Sequence, residues 1–79
     1  MCKDEILFRL TNLISDRQGI SCADVNEHSS LAYDLNMDSL DIMELGMDIE
    51  YEFNISITDE ELSKFKTVDV IVDIIASKF

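Results

Sequence analysis

Cations are scarce in this sequence. Six lysine and arginine residues stand against seventeen aspartate and glutamate residues, which gives a net charge of −11. A protein that binds nucleic acid needs a basic patch to contact the phosphates, so we expect no nucleic-acid partner. The natural complement of an acidic surface is a basic patch on another protein. The charge balance therefore favours a protein that works through partner proteins.

Cysteine is also scarce, and long apolar runs are absent. Cys2 and Cys22 have neither a metal-ligand spacing nor a redox-motif spacing. Residues 1–5 are charged and lack the apolar stretch of a secretion signal, and two thiols without such a signal are typical of a reducing compartment. No run approaches the length of a membrane span. We expect a cytoplasmic, monomeric protein with no metal site and no membrane span.

Hydrophobic residues make up 47% of the 79-residue chain, enough to build the core of one small domain over residues 1–79. Apolar residues recur at a helical spacing over residues 4–18, and Gly19 follows at the place of a left-handed C-cap. Further helical patterns cover residues 39–53 and 68–77, and Thr67 is expected to cap the last one. Thr58 with Glu61 predicts a capping box for a short helix between them, with Leu62 and Phe65 as its buried face. The sequence thus predicts an all-α fold, a small bundle of three main helices plus one short helix.

Residues 20–37 show no sustained period and are rich in serine, aspartate and asparagine, which favour turns. Apolar residues at intervals indicate a long loop anchored to the core. Loops of this length are often functional in compact domains. The anchors predicted here are Ile20, Val25, Leu31 and Leu35. The single histidine, His28, lies in this polar stretch with no partner motif, so we expect it to be exposed.

The stretch Asp38-Ser39-Leu40 joins this loop to the second helical pattern. Asp38 is a good N-cap, and Asp41 three residues later completes a short capping box. Ser39 then lies on the first helical turn, where free backbone N–H groups supply partial positive charge. A phosphate attached to Ser39 would be favoured there.

The second helix carries two apolar stripes. Ile42, Leu45, Ile49 and Phe53 are expected to face the core. A second stripe is formed by Leu40, Met43 and Met47, with Glu44, Asp48 and Glu50 around it. An apolar stripe edged with acids is typical of a protein-docking surface. Gly46 costs about 1 kcal/mol relative to Ala inside a helix. Close approach of another helix would explain why a glycine stands at this position.

Residues 34–40, Asp-Leu-Asn-Met-Asp-Ser-Leu, resemble the Asp-Leu-Gly-x-Asp-Ser-Leu attachment motif of the acyl carrier protein family. Residues 41–45, 50–53, 57–61 and 67–68 continue the resemblance, which covers nearly the whole chain without gaps. Asn36 stands where the family usually has glycine. Because asparagine tolerates a left-handed backbone better than most residues, we expect the turn to be kept.

The resemblance implies that Ser39 accepts 4′-phosphopantetheine from coenzyme A through a separate phosphopantetheinyl transferase. The arm would carry acyl groups as thioesters to acyl-transferring and chain-elongating enzymes, in fatty acid biosynthesis or a related lipid or polyketide pathway. The chain itself would not be an enzyme. Contact with basic patches on partners would fall on Asp38, Leu40, Asp41, Met43, Glu44, Met47 and Glu50. Ile57 and Phe65 match positions that border the family's acyl pocket.

Three alternatives compete with this interpretation. A calcium-binding loop could open with Asp34, Asn36 and Asp38, but its sixth position is Ser39 instead of glycine and its twelfth is Leu45 instead of glutamate. An enzyme with Ser39 as nucleophile would need a nearby base, and the segment lacks the glycines that flank a hydrolase nucleophile. An acidic adaptor that is never modified is the third alternative.

Overall fold

The computed structural model describes residues 1–79 and contains four α-helices with no β-strand. They are α1 (Lys3–Gln18), α2 (Ser39–Phe53), α3 (Asp59–Leu62) and α4 (Val68–Ala76), with a 3₁₀ turn at Cys22–Asp24. The predicted all-α architecture of three main helices and one short helix is therefore confirmed. No helix combines the length and apolarity that crossing a bilayer requires.

Two left-handed residues end the first two long helices. Gly19 has φ 66° and donates its N–H to Ser15 O at 2.9 Å, as the sequence predicts. Asn54, with φ 55°, ends α2 in the same way and donates to Glu50 O. Asparagine can replace glycine here because it is the residue that best tolerates this conformation after glycine.

The core lies among α1, α2, α4 and the long loop, and it contains fifteen buried hydrophobic residues. The predicted stripes supply most of them: Ile6, Leu10 and Ile14; Leu45, Ile49 and Phe53; Val68, Ile71, Val72 and Ile75. The loop adds Val25, Leu31 and Leu35, while Ile20 packs against the core only in part. Met37 is also buried, although the sequence pattern does not single it out.

Three local expectations need refinement or correction. Ile42 packs against the core as predicted but only in part, because it also lines a surface cleft. Phe65 is buried but lies beyond the end of α3, which stops at Leu62. Thr67 occupies the N-cap position of α4, yet its hydroxyl does not cap the helix and donates instead to the Asp69 carboxylate. That carboxylate in turn accepts the Val70 N–H at 3.0 Å.

Two arginines of α1 attach it to α2. Arg9 donates from Nε to the Glu52 carboxylate at 2.8 Å and from Nη2 to the Glu52 carbonyl at 2.9 Å. Its guanidinium also lies 4.7 Å from the centre of the Phe53 ring. Arg17 donates to Asp48 and Glu44. Neither arginine is distinctive in the sequence, because the pairing depends on how the two helices pack.

Backbone hydrogen bonds fix the long loop against the segment before α4. The Leu31 N–H donates to Lys66 O at 3.0 Å, and Val68 N–H donates to Ser29 O at 3.2 Å. The Leu31 carbonyl accepts from Met37 N at 2.9 Å. Since Met37 directly precedes the N-cap of α2, these bonds place the start of α2 next to the α3–α4 connection.

Candidate functional site at the start of helix α2

Helix α2 begins with the predicted capping box. Asp38 Oδ1 accepts the Asp41 N–H at 2.9 Å, and Asp41 Oδ2 accepts the Asp38 N–H at 3.2 Å. Ser39, the first helical residue, takes no part in these bonds and is exposed. Its hydroxyl is therefore available for chemistry, while its neighbours hold the backbone in place.

The turn that leads to Ser39 alternates between buried and exposed residues. Leu35 and Met37 are buried on either side of Asn36, which is exposed. Asn36 has φ 55°. This is the left-handed conformation expected at the position where the family that the motif resembles usually has glycine. The Gln18 amide donates to the Leu35 carbonyl at 2.9 Å and ties this turn to the end of α1. The two buried side chains thus anchor the turn so that Ser39 lies on the surface.

A phosphodiester on Ser39 fits the donors present. The capping box occupies the Asp41 N–H, and the Ile42 N–H donates to Asp38 O at 3.0 Å. The N–H groups of Ser39 and Leu40 are left as the free donors of the first turn, and the helix N-terminus carries partial positive charge. The residues therefore suit a single anionic group attached to the Ser39 oxygen.

Ser39 opens on a cleft of about 310 Å³ between α2 and the α3–α4 connection. Its lining is half apolar and comprises Ser39, Ile42, Met43, Asp59, Leu62, Ser63, Phe65 and Lys66. A smaller cleft of about 130 Å³ adjoins it and shares Met43, Asp59 and Leu62. The two predicted acyl-pocket residues are thus divided: Phe65 lines the cleft at Ser39 and Ile57 lines the smaller one.

Leu62 and Gly46 determine how closely α3 approaches α2. A Cβ atom added at Gly46 would lie 2.9 Å from Leu62 Cδ1, closer than ordinary van der Waals contact. The glycine inside α2 therefore permits the close approach that its sequence position suggests. The sequence pattern predicts only a buried helix position for Leu62 and no role for Lys66, because no local pattern connects either residue with Ser39.

The second stripe of α2 is exposed, as expected for an unpartnered face. Leu40, Met43 and Met47 retain 61%, 52% and 57% of their accessible surface. Two of the predicted docking acids already have partners within the chain. Glu44 pairs with Arg17 at 3.3 Å, and Glu50 Oε2 accepts the Ile57 N–H at 2.8 Å. Asp38 is exposed and Asp41 is half-buried, and each accepts the backbone N–H of the other in the capping box.

His28 is exposed, as predicted, and its ring lies 3.4 Å from Glu27 and 3.8 Å from Asp69. It does not line the cleft at Ser39. The calcium alternative also finds no support in the geometry. Asp34 accepts the Ser30 N–H, Asp38 caps α2, and Leu45, at the twelfth position, is fully buried in the core.

An exposed serine at the capped start of a helix, set in a small four-helix fold, is the arrangement of a phosphopantetheine carrier. The model of the phosphopantetheine attachment site family matches residues 9–75. The chain therefore belongs to this family of carrier proteins, and within it to the acyl carrier proteins. Its prosthetic group is 4′-phosphopantetheine, and its function is to carry acyl groups as thioesters on that arm.

Similar acyl carrier proteins match this chain over nearly its full length. The acyl carrier protein of Thermosynechococcus vestitus is 41% identical over 99% of this chain and 96% of its own. That of Thermotoga maritima is 38% identical over 96% of this chain and 94% of its own. The solved structure of the acyl carrier protein from Enterococcus faecalis superposes with a TM-score of 0.82 at 34% identity and covers all of both chains.

Proposed function

We propose that Ser39 is the residue that bears the phosphopantetheine arm. The observation that carries the proposal is that Ser39 is exposed on the first turn of α2, beside the apolar cleft, while Asp38 and Asp41 hold the turn. Ser39 Oγ forms a new bond to the phosphorus of coenzyme A next to the pantetheine. The pyrophosphate link breaks, adenosine 3′,5′-bisphosphate leaves, and the hydroxyl proton passes to a base of the transferase.

The test is the intact mass after incubation with coenzyme A and a phosphopantetheinyl transferase. Ser63→Ala is a matched control, because Ser63 lines the same cleft and its hydroxyl already donates to the Glu60 carbonyl at 2.6 Å. We expect one phosphopantetheinyl group on the wild type and on Ser63→Ala, and none on Ser39→Ala. Modification of Ser39→Ala would refute the assignment.

The chain, as one domain over residues 1–79, positions the arm and performs no catalysis itself. When the thioester is bound, the cofactor supplies the reactive carbonyl, and the chain supplies the surface along which the acyl group lies. Leu62 and Phe65 offer apolar area in the cleft at Ser39, and Ile57 does so in the adjoining one. Fatty acid biosynthesis is the pathway we propose, and mass spectrometry of the acyl groups on protein purified from its source would test it.

Partner enzymes are proposed to bind α2. The docking residues are Asp38, Leu40, Asp41, Met43, Glu44, Met47 and Glu50. Leu40, Met43 and Met47 supply exposed apolar contact. The acids attract basic patches, including those of the transferase and of chain-elongating enzymes. The arm raises the effective concentration of its acyl group at whichever enzyme is docked.

Met43→Ala and Glu44→Lys test this surface. Both side chains are on or near the surface, and Arg17 keeps its stronger partner Asp48 when Glu44 is replaced, so the fold is expected to survive. We expect each variant to lower kcat/KM of the transferase while circular dichroism is unchanged. Asp16→Lys, an exposed position on α1, makes the same charge change elsewhere and is the control. Unchanged transfer in both α2 variants would remove the proposed surface.

A further inference from the structure

The six basic residues of the chain divide into two groups. Four of them form ion pairs with acids of the chain: Lys3, Arg9, Arg17 and Lys78. The other two, Lys64 and Lys66, form none, and both are exposed in the segment between α3 and α4. The chain has seventeen acidic residues, yet neither lysine of this short segment lies within ion-pair distance of one.

Only one of these two lysines borders the candidate attachment site. Lys66 lines the cleft on which Ser39 opens, and it is the one cation in that lining; Lys64 is not part of it. The other charged residue of the cleft is Asp59, and Asp38 and Asp41 flank Ser39 along the chain. A phosphodiester attached to Ser39 would thus enter a surface whose other charges are negative, with Lys66 as the counter-charge.

The backbone of Lys66 is fixed relative to Ser39. The Lys66 carbonyl accepts the Leu31 N–H at 3.0 Å, and the Leu31 carbonyl accepts the Met37 N–H at 2.9 Å. Residues Ser30 and Thr67 add an antiparallel bridge next to these bonds. Two hydrogen bonds therefore connect Lys66 to the turn that ends at Ser39, and only the flexible lysine side chain has to be ordered.

We propose that Lys66 is a positioning residue whose ammonium group pairs with the phosphodiester of the arm. The pairing orients the first segment of the arm over the cleft, towards Leu62 and Phe65. This inference rests on the proposed attachment of the arm to Ser39. Lysine suits the role because its ammonium is a point charge on a flexible stem, able to follow a phosphate without a fixed fork geometry.

The test is a double-mutant cycle between the lysine and the modification. Wild type, Lys66→Gln and Lys64→Gln are each prepared without the arm and with it, and their Tm values are measured at low ionic strength. A surface ion pair formed only by the modified protein would make the change in Tm on modification about 2–4 °C smaller in Lys66→Gln. Lys64→Gln removes the same charge from a residue that does not line the cleft. Its change in Tm on modification should therefore equal that of the wild type.

Two further measurements sharpen the result. The ³¹P resonance of the phosphodiester should move in Lys66→Gln, stay in place in Lys64→Gln, and be largely restored in Lys66→Arg. The Tm effect should disappear near 1 M salt, where screening acts over about 3 Å. If Ser39 is modified but both glutamine variants behave alike, the role of Lys66 is wrong and the proposed function stands. If Ser39 accepts no arm, both proposals fail.

Discussion

The guanidinium of Arg17 in α1 holds the carboxylate of Asp48 in α2, with Nη2 at 2.7 Å and Nε at 3.1 Å from Oδ2. The hydrogen bonds to Asp48 raise the pKa of Arg17 above its ordinary value. Arg17 Nη1 also donates to Glu44 at 3.3 Å. This one residue therefore ties the end of α1 to the middle of α2 and neutralises two acids beside the proposed docking surface.

Arg17→Gln should have opposite effects on stability and docking. Loss of the half-exposed pairs should lower the free energy of unfolding by about 1 kcal/mol, because surface ion pairs contribute little even when several bonds are made. Release of Asp48 and Glu44 should raise the association rate with a basic partner at low salt. Thermal denaturation and stopped-flow binding of the transferase measure the two effects.

Arg9→Gln is the matched control for that variant. It removes the same charge and a comparable pair, Arg9 with Glu52, which is not on the proposed docking surface. We expect a loss of stability at least as large, because Arg9 also contacts the Glu52 carbonyl and the Phe53 ring, with a smaller gain in association rate. Equal rate gains in both variants would show that net charge alone, and not the release of Asp48 and Glu44, governs association.

Glu50 is expected to have a structural role as well as a docking role. Its Oε2 accepts the Ile57 N–H at 2.8 Å, which holds the α2–α3 connection against α2. Glu50→Ala leaves that N–H without its partner and should cost about 1–2 kcal/mol of unfolding free energy. Glu50→Gln keeps an acceptor oxygen and should cost less than half as much. Urea denaturation measures the difference.

The same pair of variants separates the two roles. If the charge of Glu50 contacts partners, Glu50→Gln should raise the KM of the transferase although the fold is kept. A fully stable Glu50→Ala variant would contradict the structural role. An unchanged KM in Glu50→Gln would remove this residue from the docking surface and leave its structural role intact.

Gly46→Ala should show coupling to Leu62. Alanine gains about 1 kcal/mol of helix propensity over glycine, but its Cβ would lie 2.9 Å from Leu62 Cδ1, so the leucine tip has to shift. The net change in unfolding free energy should therefore be below about 1 kcal/mol in the wild-type background. In a Leu62→Ala background the gain should be larger by about 0.5–1 kcal/mol. Identical effects in the two backgrounds would show that the contact has no energetic consequence.

The stability of the chain should fall in acid partly through Glu61. Lys78 donates to its carboxylate at 2.7 and 2.8 Å, and this pairing, followed by the Thr58 N–H, lowers the pKa of Glu61 below its ordinary 4.5. A lowered pKa in the folded state stabilises the fold at pH values above 4.5, and this contribution is lost as the pH falls through the lower folded value. The hydroxyl of Thr67 lowers the pKa of Asp69 and adds the same dependence from 3.8 downwards.

Tm values between pH 7 and pH 3 for the wild type and Glu61→Gln test this. At pH 7 the Tm of the wild type should exceed that of Glu61→Gln. This difference in Tm should narrow below about pH 4.5, because protonation of Glu61 then removes the charge that the variant already lacks. Glu60→Gln, at the neighbouring position of α3 and without an ion pair, makes the same substitution and is the control. If the difference in Tm between the wild type and Glu61→Gln stays constant with pH, Glu61 does not contribute to the loss of stability in acid.

The ends of the helices could be predicted from the sequence, because the residues that cap a helix lie within one turn of its end. Asp38 with Asp41 and Thr58 with Glu61 form their capping boxes as predicted, and Gly19 ends α1. Thr67 shows where such reasoning stops. Its hydroxyl donates to the Asp69 carboxylate two residues later. A threonine at the N-cap position therefore makes a different hydrogen bond from the expected cap.

The division of the acyl-pocket positions has a different cause. Ile57 and Phe65 are close in the chain and equally apolar, yet Leu62 lies on the boundary of two clefts and each of them lines only one. Leu62 is also the side chain that α3 places against α2 at Gly46, at a distance of 2.9 Å from an added Cβ. Neither hydrophobic periodicity nor a motif encodes that distance.

The sequence by itself determined the helices, their caps, the apolar stripes and the exposed serine that begins α2, because each depends on residues within a few positions of one another. Only the tertiary structure decided which charges meet. Arg17 pairs with Asp48, Glu50 holds Ile57, and Lys66 lies without an acidic partner at the cleft of Ser39. These relationships join residues far apart in the chain, so they exist only once the core has set the distances between helices.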